Sequence, residues 1–251
     1  MPPLSSLMRL PARPLISIVG AGGKTTTMYT LAAELAASGK RVVTTTTTNI
    51  YIPRSDETDT LVVAAETPTL LRMVNAAWGQ HRRVTVAGKV IGAGKLGGVQ
   101  LDQPYALLQE GGADVVIVEA DGARHSMIKA PAEYEPVVPA QTNVALIVMS
   151  AAAINQPLST EIAHRPERIA AVLDIKQGDI LTPALIARLM THELGGLKNI
   201  PLQAAIYLLL TGATVSTLDI VAELTSLVEG MERVTGVCCS ARVGEWFVWG
   251  L

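Results

Sequence analysis

The sequence predicts an α/β protein of three layers, with a mostly parallel central sheet between helices. Three observations predict it. Short apolar runs of strand length alternate with helical segments along the chain. The runs are apolar at consecutive positions, as strands buried on both faces are. Strand and helix in alternation imply right-handed crossovers, which lay the strands parallel in one sheet. The chain has 251 residues, 49% of them hydrophobic, which fits a single domain over 1–251 with a sizeable core.

The elements follow in order. Leu15 to Val19 (LISIV) is an apolar strand. Lys24 to Ser38 is rich in Ala, with Leu31, Glu34 and Leu35 among them, and stops at Gly39, which reads as a helix. Arg41 to Thr48 is dominated by β-branched residues and reads as a second strand, and Leu61 to Ala65 as a third. Pro68 opens a helix that runs to about Trp78. Val84 to Gln100 alternates and carries glycines at 88, 92, 94, 97 and 98, so a glycine-rich hairpin or mobile loop is expected at about 84–100. Asp114 to Glu119, Asn143 to Met149 and Gln203 to Leu210 are buried strands. Helices are expected at Pro166 to Leu173, Pro183 to Leu194 and Leu218 to Met231, with a closing strand pair from Gly236 to Trp249.

Composition excludes several classes. Mean hydropathy is +0.35. The longest apolar runs, Val144 to Met149 and Ala204 to Leu210, are nevertheless far short of the ~20 residues of a membrane span. The proline-punctuated start has no apolar core of the kind a secretory signal carries. Net charge is −2, from 20 basic and 22 acidic residues, and 4% of residues are aromatic. A nucleic-acid surface needs a basic stripe or stacking platforms, and neither is present. The two cysteines, Cys238 and Cys239, are adjacent and lack zinc spacing. A cytoplasmic protein, binding neither nucleic acid nor membrane, is the expectation.

The chemistry starts at Ile16 to Thr27, ISIVGAGGKTTT. A strand runs into a glycine loop and a helix follows at once, which is the setting of a phosphate loop. Gly20, Gly22 and Gly23 let the backbone curl so that amides converge on an anion, and the helix points its positive end there. The expected nucleotide contacts are Gly20, Ala21, Gly22, Gly23, Lys24, Thr25 and Thr26. Lys24 is placed to bridge terminal phosphates and Thr25 to ligate magnesium. The loop is GxxGKT, shorter than GxxxxGK[ST], because Ile18 stands five places before Gly23. ATP or GTP with magnesium is the implied ligand of a P-loop NTPase-like fold.

Valines and isoleucine at 115–118 lead into EADG, which puts Glu119 at the carboxyl end of its strand, where ligands bind in open α/β sheets. Glu119 is expected to hold magnesium, and Asp121 to orient the attacking water or complete the metal shell; Lys24, Glu119 and Asp121 are the candidate catalytic residues. The threonines at 44–48 end the second strand on the same edge; Thr46 either faces the nucleotide or reflects the β-propensity of Thr. Lys129, in a proline-rich segment, either contacts phosphate or is a surface Lys. Arg165, in HRPE at a helix start, is placed to stabilise a transferring phosphoryl group. His164 has no second His or Cys at ligand spacing.

VGAGGKTT, the threonine run, VEADGAR with KAPAEYEPVVP, and HRPE together resemble the YqeC family, selenium-dependent molybdenum hydroxylase accessory proteins; the resemblance runs from about residue 16 to 190. It implies a P-loop NTPase-like fold and a role in maturing such a hydroxylase. A molybdenum hydroxylase or its cofactor-insertion machinery would then be the partner, and a homo-oligomer is compatible with it. Where relatives carry an NKxD-like stretch, this chain reads LLLTGATVS, with no Asp from Thr211 to Val215 to read a guanine edge. ATP is therefore expected to bind at least as well as GTP. Two further readings stand beside the accessory NTPase. The loop also resembles that of Mur ligases, which implies a nucleotide-dependent transferase or ligase, and a non-hydrolysing nucleotide switch needs the same residues.

Overall fold

The computed structural model describes residues 2–214, 217–242 and 245–249, the side chains from 241 onward excepted. In chain order the elements are α1 (Leu4–Leu7), β1 (Leu15–Gly20), α2 (Lys24–Ala37), β2 (Val42–Thr46), β3 (Asn49–Tyr51), β4 (Thr60–Val63), α3 (Thr67–Ala77) and β5 (Arg83–Ala87). They continue with β6 (Lys89–Gly92), β7 (Lys95–Gly97), α4 (Gln103–Gln109), β8 (Val115–Glu119), β9 (Ile128–Lys129), β10 (Val144–Ser150) and β11 (Ala163–His164). The chain closes with α5 (Pro166–Leu173), α6 (Pro183–Thr191), β12 (Ala205–Thr211), α7 (Leu218–Val228), β13 (Gly236–Arg242) and β14 (Glu245–Trp249).

Nine strands form the central sheet in the order β14-β13-β12-β10-β1-β8-β2-β5-β4. Every pairing is parallel except β13 with β14. β1 therefore lies in the middle, between β10 and β8, and its carboxyl end opens where neighbouring connections diverge. Alternation along β10 shows the layering: Val144, Leu146 and Val148 pack with Met28 and Leu31 of α2. Ala145, Ile147 and Met149 pack with Ile169, Ile186 and Val221 of α5, α6 and α7. On that second face, α3 and α4 cover the other half of the sheet through Leu70, Val74, Leu107 and Leu108 against Val43, Val84 and Val116. These apolar layers, with all six β1 residues buried, fix the sheet in register, since a one-residue slip would send each layer to the wrong face.

The fold corrects the reading of 84–100. Arg83–Ala87 is a strand of the central sheet, paired with β2 and β4 and buried from Val84 on. Its Thr85 makes the run look alternating, but that hydroxyl is hydrogen-bonded to Thr44 Oγ1 at 2.8 Å, which lets it sit in the core. Only β6 and β7 form the hairpin, and β3 adds a third strand to make a separate antiparallel sheet. α4 has no counterpart in the sequence reading; Pro104 stands in its first turn and marks its start. Cys238 and Cys239 are buried on opposite faces of β13, and burial pushes the Cys238 thiol up to about 12.

Candidate functional site

The site forms at the carboxyl end of β1 because glycine is needed there twice over. Gly20, Gly22 and Gly23 have φ of 100°, 74° and 119°, in the region L side chains avoid. A Cβ at Gly20 would lie 2.2 Å from the Val148 carbonyl oxygen, and one at Gly22 would lie 2.6 Å from that of Met127. The loop thus passes flush against β10 and the segment before β9. Ala21 continues the ladder, its amide donating to Val148 O at 2.8 Å. Among the described residues, the amides of Gly22, Gly23, Lys24, Thr25 and Thr26 meet no acceptor. Thr211, at the end of β12, donates its hydroxyl to Gly22 O and pins the loop from the far side. That hydroxyl is taken up here, and Val215, in the stretch that lacks an Asp, lies outside the described residues.

β1 and β8 are hydrogen-bonded neighbours, which brings the acidic strand end to the loop. Thr25 Oγ1 donates to Glu119 Oε2 at 2.7 Å. Lys24 is 4% exposed; its ammonium donates to Gly20 O at 2.8 Å and pairs with Asp121 Oδ1 at 3.2 Å and Glu119 Oε1 at 3.9 Å. Asp121 Oδ2 accepts from the Gly20 amide at 3.1 Å. Its Oδ1 is buried and accepts no hydrogen bond, the Lys24 contact being an ion pair without hydrogen-bond geometry. Burial pushes the Glu119 carboxyl up, and the Lys24 charge and Thr25 hydroxyl oppose that only in part.

Thr46 corrects an expectation. It is fully buried, and its hydroxyl donates to Glu119 O at 2.7 Å, so it supports the acidic strand end and presents no free donor to a nucleotide. The neighbouring hydroxyls are likewise taken: Thr45 donates to Val86 O and Thr47 to Val137 O. Lys129 is no surface residue. It is 1% exposed and pairs with Asp121 Oδ2 at 3.0 Å and Glu135 Oε2 at 2.9 Å, while donating to Gly122 O at 2.7 Å. Arg165, at φ 59° before α5, donates to Glu135 Oε2 at 2.6 Å and lies 5.9 Å from the Tyr134 ring centre. Its partner is a carboxylate of the chain itself. β9 pairs with β11 in register Lys129 to His164, and this short ladder carries Arg165 to Glu135.

Glu135 is the buried residue beside the site to which sequence reasoning gave no role. Burial alone would raise its carboxyl, but Lys129, Arg165 and the Ala132 amide outweigh that and hold it at about 2. The signal was present as a Glu amid prolines and beside a Lys, with nothing local to say that the Lys was buried. His164 is pushed down by burial and then by the charges of Arg165 and Lys129.

The residues fit a magnesium-bound nucleotide. The loop offers unpaired amides, a buried ammonium and a hydroxyl beside a carboxylate. Among the described residues no cluster of three His, Cys, Asp or Glu is placed to cage a metal. Among the described residues no helix is long and apolar enough to cross a membrane.

Comparison with known proteins agrees with the residues. The family model of the YqeC protein matches residues 16–167, which includes the phosphate loop, Glu119, Asp121, Lys129, Glu135 and Arg165. The YqeC protein of Escherichia coli (strain K12) is 34% identical over 187 residues, covering 74% of this chain and 71% of that one. Among solved structures, FtsY from Mycoplasma mycoides is similar with a TM-score of 0.41 and 10% identity, over 96% of this chain and 66% of that one. The 54 kDa signal recognition particle protein from Aeropyrum pernix K1, in complex with GDP, is similar with a TM-score of 0.43 and 13% identity, over 98% of this chain and 46% of that one. This chain thus spans less than two thirds of either structure. On the extent of the family match and the identity to its Escherichia coli relative, the chain belongs to the YqeC family.

Proposed function

We infer that the chain binds ATP or GTP with magnesium at this loop and hydrolyses it, acting as an accessory factor in the maturation of a selenium-dependent molybdenum hydroxylase. One observation carries the nucleotide reading: five successive amides that meet no acceptor among the described residues, from Gly22 to Thr26, stand beside a buried Lys24 and the Thr25–Glu119 pair. Unpaired amides at a helix start attract an anion, and a buried ammonium strengthens the attraction. Lys24 would bridge the terminal phosphates, and Thr25 and Glu119 would hold magnesium, which would supply neutralisation of the phosphate charge. Asp121 orients water on the same side. The client enzyme is inferred from the family alone, and the site residues speak only to the nucleotide.

Calorimetric titration with magnesium–ATP and magnesium–GTP tests the binding, and phosphate release tests the hydrolysis. Binding lost in Lys24→Ala, with the folded state kept, is the expected result. No binding of either nucleotide to the wild-type protein would overturn the reading. A thermal-shift comparison with and without a molybdenum hydroxylase apoenzyme addresses the client, since binding to the native state alone raises the midpoint.

A further inference from the structure

Five charged side chains run from the phosphate loop to the surface with alternating sign. Lys24 pairs with Asp121, Asp121 with Lys129, Lys129 with Glu135, and Glu135 with Arg165, at 3.2, 3.0, 2.9 and 2.6 Å. The first four are buried, at 4%, 1%, 1% and 7% exposure, so solvent screens them little. Each interior member is shared between two neighbours of opposite charge. The charge each neighbour sees therefore depends on the link beyond it.

We propose that Lys129, Glu135 and Arg165 are positioning residues that set how tightly Asp121 retains Lys24, and so how readily Lys24 transfers to a nucleotide phosphate. This rests on the nucleotide reading of the loop. Without ligand, Asp121 is held by Lys24, by Lys129 and by the Gly20 amide. When Lys24 turns to a phosphate, Lys129 is the cation that remains on Asp121. Lys129 is itself divided between Asp121 and Glu135, and Glu135 between Lys129 and Arg165. Removing the Lys129 charge leaves Lys24 as the one cation paired with Asp121 among the described residues, and binding weakens. Removing the Glu135 charge gives Lys129 wholly to Asp121, frees Lys24, and tightens binding. Removing the Arg165 charge turns Glu135 onto Lys129, so binding weakens again. The sign alternates along the chain, and every effect passes through Asp121.

The test is calorimetric titration of the full chain with AMP-PNP and GMP-PNP plus magnesium. Expected shifts in Kd are about tenfold weaker for Lys129→Met, about threefold tighter for Glu135→Gln and about threefold weaker for Arg165→Met. Simple proximity of charge to phosphate would give the same signs, so each substitution is repeated with Asp121→Asn. There the shifts should fall below about twofold, because contacts that share a partner are non-additive. Shifts that persist in Asp121→Asn, or Lys129→Met and Glu135→Gln moving in one direction, overturn the inference while leaving the site intact. Should Lys129→Met fail to fold, Arg165→Met, whose side chain is 23% exposed, carries the same sign and the same test. Affinity unchanged in Lys24→Ala would instead overturn the nucleotide reading and this inference with it.

Discussion

Removing the Lys24 ammonium has two consequences of different size, and the structure separates them. In Lys24→Ala the first is on binding. An ammonium–phosphate hydrogen bond between charged partners contributes about 3 kcal/mol, or roughly a hundredfold in Kd. The second is on stability. Breaking a buried ion pair from one side commonly costs about 3–5 kcal/mol, because an uncompensated charge stays behind. Here that cost is softened, because Asp121 keeps Lys129 at 3.0 Å and the Gly20 amide at 3.1 Å. The loss is then about 2–3 kcal/mol, and in a chain of this length each kcal/mol lowers Tm by roughly 2–4 °C. Thermal denaturation without ligand and calorimetry with magnesium–ATP and magnesium–GTP read the two consequences separately. A folded Lys24→Ala protein that retained wild-type affinity would refute the reasoning. A Tm loss far beyond about 12 °C would show that Asp121 is not compensated by Lys129 as described.

Glu119→Gln keeps the shape and removes the charge beside Thr25, so kcat for phosphate release should fall by at least about tenfold while Kd moves only a fewfold; equal turnover would reduce the strand end to a structural turn. Glu135 is held at about 2 against an ordinary 4.5. A depressed carboxyl contributes stability that is complete above 4.5 and is lost as pH falls from there to about 2. Urea denaturation of wild type and Glu135→Gln at pH 7 and pH 3 checks this: the gap between the two proteins should narrow at pH 3, and a gap that stays constant would be the contrary result. Competition between ATP and GTP at equal magnesium should show a difference within about 1–2 kcal/mol, the worth of a neutral hydrogen bond. A hundredfold preference for GTP would place a charged reader of the base elsewhere in the chain.

Local chemistry made much of the protein legible before any fold was known. Leu15–Gly20 reads as a strand because its run is apolar but for Ser17, and Lys24–Ala37 as a helix because Ala and Leu gather toward its end and the run stops at Gly39. The phosphate loop is legible for the same reason: strand, glycines, Lys and Thr are contiguous, so their geometry is set within a few residues. Glu119 was legible as the polar end of a buried run. What the sequence could not carry was pairing at a distance. Whether Arg83–Ala87 joins the central sheet depends on the register of β2 and β4, which no local pattern encodes. The placement of Thr46 depends on the β2–β8 pairing that turns its hydroxyl to Glu119 O. Lys129, Glu135 and Arg165 are ordinary charged residues in sequence. They become a buried alternating chain only because β9 and β11 pair and bring residues 30 positions apart within 2.6 Å. Isolated charges are too costly to bury, so only tertiary structure, by supplying each with an opposite neighbour, decided that these are inside.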